Sequence, residues 1–206
     1  MNEHPAGDGN LTTHDSRPTT PTERRVMWTP WDGPGLEDLR LTIDGDAVRA
    51  DGLIISVAED GPFRVRYSVR CDAAWRVREA RVARLDRAVM PVALRADGEG
   101  RWTTPEGEAL PELDGCIDID IIGTPFTNTL PIRRLNLRAG ESRDLTMAYI
   151  WVPELTVTPD PQRYTRLAAY RYRFDSRDSD FTAELPLDED GLVLDYPGLF
   201  RRVWPR

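Results

Sequence analysis

The chain has 206 residues, 40% of them apolar, and a net charge of -8 from 35 acidic and 27 basic side chains. That length supports one domain with a sizeable core, and the acidic balance repels a phosphate backbone, so no nucleic-acid partner is expected. All 27 basic residues are arginine, which excludes Schiff-base chemistry and lysine-based phosphate cradles, because both need an ε-amine.

Residues 1–24 are rich in Pro, Thr, Gly, Asp and Asn, and Leu11 is their only large aliphatic side chain. Such a segment cannot bury enough surface to offset its ordering entropy. It is expected to be a disordered polar tail ahead of one folded domain over 25–206. Both histidines, His4 and His14, fall in it, which takes Ser-His-Asp, Cys-His and histidine-ligated metal sites out of the folded part. The opening MNEHPAGDGN has neither a basic start nor an apolar core, and no apolar run approaches ~18 residues. A cytoplasmic protein without a transmembrane segment is expected. Cys71 and Cys116 lack zinc or redox spacing and read as two buried thiols or one disulfide.

From Trp28 onward, short apolar runs alternate with turn residues. Leu39 to Ile43 reads as a strand, Asp44-Gly45 as a turn, Ala47 to Ala50 as a return and Asp51-Gly52 as a second turn before Leu53 to Val57. Phe63 to Cys71 alternates, with Phe63, Val65, Tyr67, Val69 and Cys71 on one face and Arg64, Arg66, Ser68 and Arg70 on the other. One apolar and one polar face is the pattern of an antiparallel sheet. Trp75 to Leu85 reads as a strand or a short helix. Val89 to Leu94 is a strand, and the Ala96 to Thr103 segment is a hairpin.

Gly115 to Leu135, GCIDIDIIGTPFTNTLPIRRL, concentrates polar chemistry between apolar strands. Ile117, Ile119 and Ile121 alternate with Cys116, Asp118 and Asp120. Gly123, Pro125 and Pro131 bracket a Thr127-Asn128-Thr129 turn, and Arg133 and Arg134 follow on an alternating strand, facing opposite sides. Asp118 and Asp120 share a strand face at about 7 Å, within the roughly 5 to 9.5 Å that a glycosidase pair needs. A nearby guanidinium would hold them ionised, which suits recognition or a structural ion pair better than a general acid. The turn reads equally as a binding site or as a sharp corner of the fold.

Asp144 to Val152 is apolar on both faces, as in a covered strand or a cavity wall. Pro159-Asp160-Pro161-Gln162 reads as a loop, and Leu167 to Phe174 as an alternating strand. Phe181 to Leu187 and Leu192 to Asp195 form a last hairpin before the amphipathic end, Leu199 to Trp204. Ten to twelve strands at 8–12 residue spacing suggest an all-β sandwich or barrel, with the edges hidden by closing or strongly curling the sheet. The chain has no Walker A, dinucleotide or GxSxG signature, which favours a binding protein over an enzyme.

Asp72 to Trp75 (DAAW), Leu113 to Arg134 (LDGCIDIDIIGTPFTNTLPIRR), Val152-Pro153 to Leu155, Gln162 with Tyr164, and Gly191 to Pro197 (GLVLDYP) together resemble the bacterial putative glycolipid-binding family. The resemblance runs from about Trp28 to Arg202. It implies an all-β, antiparallel, incompletely closed barrel, similar to the lipoprotein carrier and receptor of the outer-membrane pathway. It also implies a glycolipid or other lipid-like ligand, and the residues lead to no expected cofactor or metal. The expected ligand-binding residues are Asp118, Asp120, Thr127, Asn128 and one of Arg133 and Arg134 at a polar head, with Tyr149, Trp151 and Tyr164 around an apolar pocket. A carboxylate-dependent hydrolase of a sugar conjugate and a protein-interaction domain with an exposed strand edge are the alternatives.

Overall fold

The computed structural model describes residues 21–205. Residues 1–20, with both histidines and most of the expected tail, lie outside the described residues. Thr22 to Arg24 of that tail are already strand.

In chain order the strands are β1 (Thr22–Pro30), β2 (Gly35–Asp44), β3 (Ala47–Ala58), β4 (Gly61–Asp72), β5 (Val77–Arg84), β6 (Val92–Ala96) and β7 (Trp102–Thr103). They continue with β8 (Asp118–Ile121), β9 (Ser142–Trp151), β10 (Thr156–Ala168), β11 (Arg171–Ser176), β12 (Thr182–Pro186), β13 (Asp195–Tyr196) and β14 (Phe200–Trp204). One helix, α1 (Thr129–Leu135), lies between β8 and β9. A nine-stranded sheet has the order β13-β14-β1-β2-β3-β4-β5-β6-β7, and a five-stranded sheet has the order β12-β11-β10-β9-β8.

The all-β, mostly antiparallel, single-domain expectation holds, with β8 parallel to β9 as the exception. The single curled, incompletely closed barrel gives way to two sheets whose end strands do not pair. The physical reason is how the large sheet hides its apolar face. Val26, Trp28, Leu39, Leu41, Val65 and Val82 pack in one core cluster with Ile119, Ile121, Ala148 and Ile150 of the small sheet. A second layer covers that face, so the sheet has no need to close on itself.

Two turn signals proved to be strand. β3 runs unbroken through Asp51-Gly52, where Gly52 pairs with Tyr67. A Cβ on Gly52 would lie 2.0 Å from the Tyr67 ring. The glycine therefore admits a close-packed phenol instead of making a turn. β10 likewise runs through Pro159 and Pro161. The Arg177 N–H donates to the Pro161 carbonyl at 3.0 Å, so that proline turns its backbone edge away from β9. β11 pairs only from Gln162 onward, so the missing Pro161 N–H forfeits no bond inside that ladder. The converse error is Leu167 to Phe174, which is a hairpin between β10 and β11 and leaves Tyr170 exposed. Trp75 to Leu85 is strand, not helix, and Trp75 precedes β5 at a φ of 63°.

Candidate functional site

The site is built on the two faces of β8. Strand alternation sends Ile119 and Ile121 into the core between the sheets and turns Asp118 and Asp120 to the other face. That face is covered by the segment that follows. A 3-10 turn, Phe126–Asn128, runs directly into α1, so the expected turn and alternating strand are helical. Pro131 is the third residue of α1, where no intrahelical N–H is needed. Asn136 ends it in the left-handed region at φ 43°, which asparagine tolerates better than most residues.

Neighbours in a helix are about 100° apart, so Arg133 and Arg134 still part company. The Arg134 Nε donates to both Asp118 carboxylate oxygens at 3.0 Å, and its Nη2 donates to Oδ2. Arg133 lies over the Trp75 ring at 5.1 Å. Neither arginine reaches Asp120. Each lines its own hollow, Arg134 one of about 570 Å³ beside Arg143 and Arg177 and Arg133 one of about 350 Å³ beside Asn136 and Tyr172.

Asp120 sits in a different network. Its Oδ1 accepts from the Thr127 hydroxyl at 2.7 Å and its Oδ2 from the Gln162 amide at 2.8 Å. The same Gln162 nitrogen donates to Asp160 at 2.8 Å. Thr127 also accepts the Ile121 N–H at 3.3 Å, and the Tyr164 hydroxyl donates to Asn128 Oδ1 at 2.9 Å. Burial raises the pKa of Asp120 against the pull of Thr127 and Gln162. Burial likewise raises that of Asp160, against its hydrogen bond from Gln162. Asp118 is raised by burial too, with Arg134 opposing. These directions place the charged row in a poorly solvated setting, where a few hydrogen bonds carry specificity.

A cavity of about 420 Å³ opens beside this row, lined by Asp120, Asn128, Tyr149, Trp151, Asp160, Gln162, Phe174, Phe181 and Tyr196, with Ile122, Gly123, Leu199 and Phe200 at one end. It lies where the β13–β14 edge of the large sheet meets the polar face of the small one. Tyr149 meets Trp151 edge to face at 4.9 Å, and the Trp151 indole donates to Thr158 at 3.0 Å. Opposite them, Phe174, Phe181 and Tyr196 group at 6.0 to 6.3 Å. The charged residues lining this cavity are both acidic, Asp120 and Asp160.

Of the expected residues, Asp120, Asn128, Tyr149 and Trp151 converge on the cavity. Thr127 and Tyr164 are fully buried behind it and hold its polar row in place. Asp118, Arg133 and Arg134 lie elsewhere, so Asp118 and Asp120 do not face one cleft. The sequence reading passed over Asp160, Phe174, Phe181 and Tyr196 as site residues. The signal was present in Asp160-Gln162-Tyr164, a polar row at strand period 2, masked by the two prolines beside it.

Glu37 was missed as well. It shares the inward parity of Leu39 and Leu41 on β2 and is 2% exposed. The Tyr67 hydroxyl and the Thr124 hydroxyl, the latter at 2.6 Å, both donate to its Oε1. Burial pushes its pKa up to about 8. Cys71 and Cys116 are both buried free thiols. Among the described residues, no group of three or more His, Cys, Asp or Glu side chains is placed to hold a metal ion, and no helix is long and apolar enough to cross a membrane.

A family model described as putative glycolipid-binding matches residues 25–202. A crystal structure of a DUF1089 family protein from Pseudomonas aeruginosa is similar, with 43% identity and a TM-score of 0.76. The match covers 84% of this chain and 95% of that one. No curated protein matches the chain.

Proposed function

Because the chain belongs to the putative glycolipid-binding family, we propose that it binds a sugar-bearing, lipid-like ligand, without chemical turnover, in the cavity between Asp120 and the aromatic wall. The observation that carries this reading is the pairing of surfaces. The Asp160–Gln162–Asp120 row supplies the polar groups, flanked by Tyr149 and Trp151 on one side and by Phe174, Phe181 and Tyr196 on the other. Carboxylates accept from hydroxyl groups, and aromatic faces offer broad apolar contact with a polar handle. Apolar cavities with a few placed polar groups are the usual form of small-molecule sites. With two acidic residues and no arginine among its lining side chains, the cavity suits a head rich in hydrogen-bond donors better than a phosphate.

The hydrolase alternative needed Asp118 and Asp120 in one cleft. Asp118 is instead held by Arg134 and is 1% exposed, which leaves Asp120 without the partner that reading required.

Octyl β-glucoside below its micellar concentration serves as the probe. Binding by the wild type is expected to weaken about fivefold or more in Trp151→Ala, which removes an aromatic wall, and in Asp120→Asn, which removes a charged acceptor. Isothermal titration reads both. No heat from the wild type, or unchanged affinity in the two variants, would sink the proposal.

A further inference from the structure

At one end of the small sheet β9 outruns its neighbour. β10 pairs with β9 as far as Ser142, whereas β8 pairs only with residues 147–150. Residues 142–146 therefore have no strand on the β8 side, and residues 143–146 line a hollow of about 570 Å³. Arg134 reaches it from α1, Arg143 from β9 and Arg177 from the segment after β11, with Ile117, Leu135 and Leu145 as apolar wall. It is distinct from the cavity beside Asp120. Pro161 lines this hollow, while its neighbours Asp160 and Gln162 line that cavity, as alternation along a strand requires.

The donors here are only partly spent. Asp118 takes Nε and Nη2 of Arg134, which leaves Nη1 with no protein partner among the described residues. The sealed side-chain atoms without a partner are Glu37 Oε2 and Arg202 Nε, so Arg134 Nη1 remains open to solvent. The Asp144 carboxylate is gripped by the Arg163 fork at 2.8 and 2.6 Å, and Arg177 Nε stands 3.5 Å from it. A contact of that length leaves Arg177 most of its donor capacity. Arg143 has no carboxylate partner among the described residues, whereas Arg25, Arg40, Arg49 and Arg70 on the large sheet each have one. Four guanidinium groups, Arg134, Arg143, Arg163 and Arg177, thus face two carboxylates, Asp118 and Asp144, a surplus of two positive charges on a chain of net charge -8. The neighbouring acids act elsewhere, Asp114 on Arg101 and Asp178 on Asp160.

We propose that this hollow is a second binding site, for a phosphate monoester whose phosphate meets Arg134 Nη1, Arg143 and Arg177 and whose apolar part lies against Ile117, Leu135 and Leu145. Guanidinium groups are the side chains best suited to phosphate oxygens. Three of them lining one hollow from three elements match the three terminal oxygens of a monoester better than the two of a carboxylate. The apolar wall adds contact area that inorganic phosphate would leave unused. The site goes beyond the sugar-binding reading and does not depend on it, because the charged residues of the cavity beside Asp120 are both acidic and repel the same group. A phosphorylated lipid and a soluble monoester carry the same chemistry, and the choice between them is one for experiment.

Phenyl phosphate, titrated into the full chain at pH 7.5 and low salt, is the probe. Isothermal titration is expected to show saturable one-to-one binding, against which benzyl alcohol, an uncharged body of similar size, does not compete. Arg143→Gln and Arg177→Gln should each weaken binding about fivefold or more, with urea midpoints unchanged because both side chains are exposed. Arg49→Gln, which removes a guanidinium paired with Asp44 on the large sheet, should leave it as in the wild type. Dihexanoyl phosphatidic acid below its micellar concentration separates the two sources. Competition with phenyl phosphate assigns the hollow to a lipid phosphate, and its absence, with the variant effects in place, to soluble monoesters. No saturable binding, or an equal loss in Arg49→Gln, would overturn the second site and leave the cavity beside Asp120 to its own test.

Discussion

Replacing Arg134 with methionine is expected to cost about 3–5 kcal/mol of folding stability, the usual penalty for leaving a buried charge without its partner. Asp118 is 1% exposed and its oxygens are taken up by the Arg134 fork. Burial already raises the Asp118 pKa, and Arg134 is the group that opposes it. Without the guanidinium the carboxyl must protonate or face a charge cost, so the deficit should shrink as pH falls. Arg134→Lys supplies a point charge in place of a fork and should recover only part of the loss. The double variant Arg134→Met, Asp118→Leu should recover most of it, because a pair replaced by apolar groups leaves nothing orphaned. Urea unfolding at pH 7 separates these cases. A single-variant loss below about 1 kcal/mol would place the pair among weakly contributing surface bridges.

The second large effect is a pH dependence set by Glu37. Its pKa rises from 4.5 to about 8 on folding, through burial, against opposing hydrogen bonds from Thr124 and Tyr67. A raised carboxyl pKa means that the native state binds more protons than the unfolded chain between those two values. The stability it confers is fully present below pH 4.5 and is lost progressively until about pH 8. A shift of this size is on the order of 3–5 kcal/mol. Asp118, Asp120 and Asp160 shift in the same direction, so the wild-type curve alone does not isolate Glu37. The comparison with Glu37→Gln does. The variant should match the wild type near pH 4.5 and exceed it by several kcal/mol at pH 9, as measured by urea unfolding at each pH. Parallel curves for the two proteins would contradict the buried-acid account.

Phe63 to Cys71 was read correctly because its alternation is complete and one face is core. Gly52 and Pro161 misled because their local propensity is for turns, whereas their roles come from Tyr67 packing and from the end of the β11 ladder. α1 was missed because it is only seven residues long, with Pro131 inside, too short for a helical period to show. The family motif contributes Asp120 and Asn128 to one cavity. Asp120, Asn128, Tyr149 and Trp151 do meet at one cavity. What the stretch alone could not reveal was which carboxylate would be paired off, since Arg134 reaches Asp118 only because the chain is helical there. Phe181 and Tyr196 are distant in sequence and enter the site through sheet topology, which no local pattern encodes.

Binding of a sugar-bearing amphiphile in the cavity beside Asp120 can be read from the indole N–H signals of the six tryptophans in a ¹⁵N correlation spectrum. Octyl β-glucoside is titrated in below its micellar concentration. A saturable shift is expected for the signal of Trp151, which lines the cavity and donates its N–H to Thr158. The Trp102 signal, buried and donating to the Cys116 carbonyl at 2.6 Å, should stay in place. An unmoved Trp151, or shifts of all six that grow linearly with detergent, would contradict it.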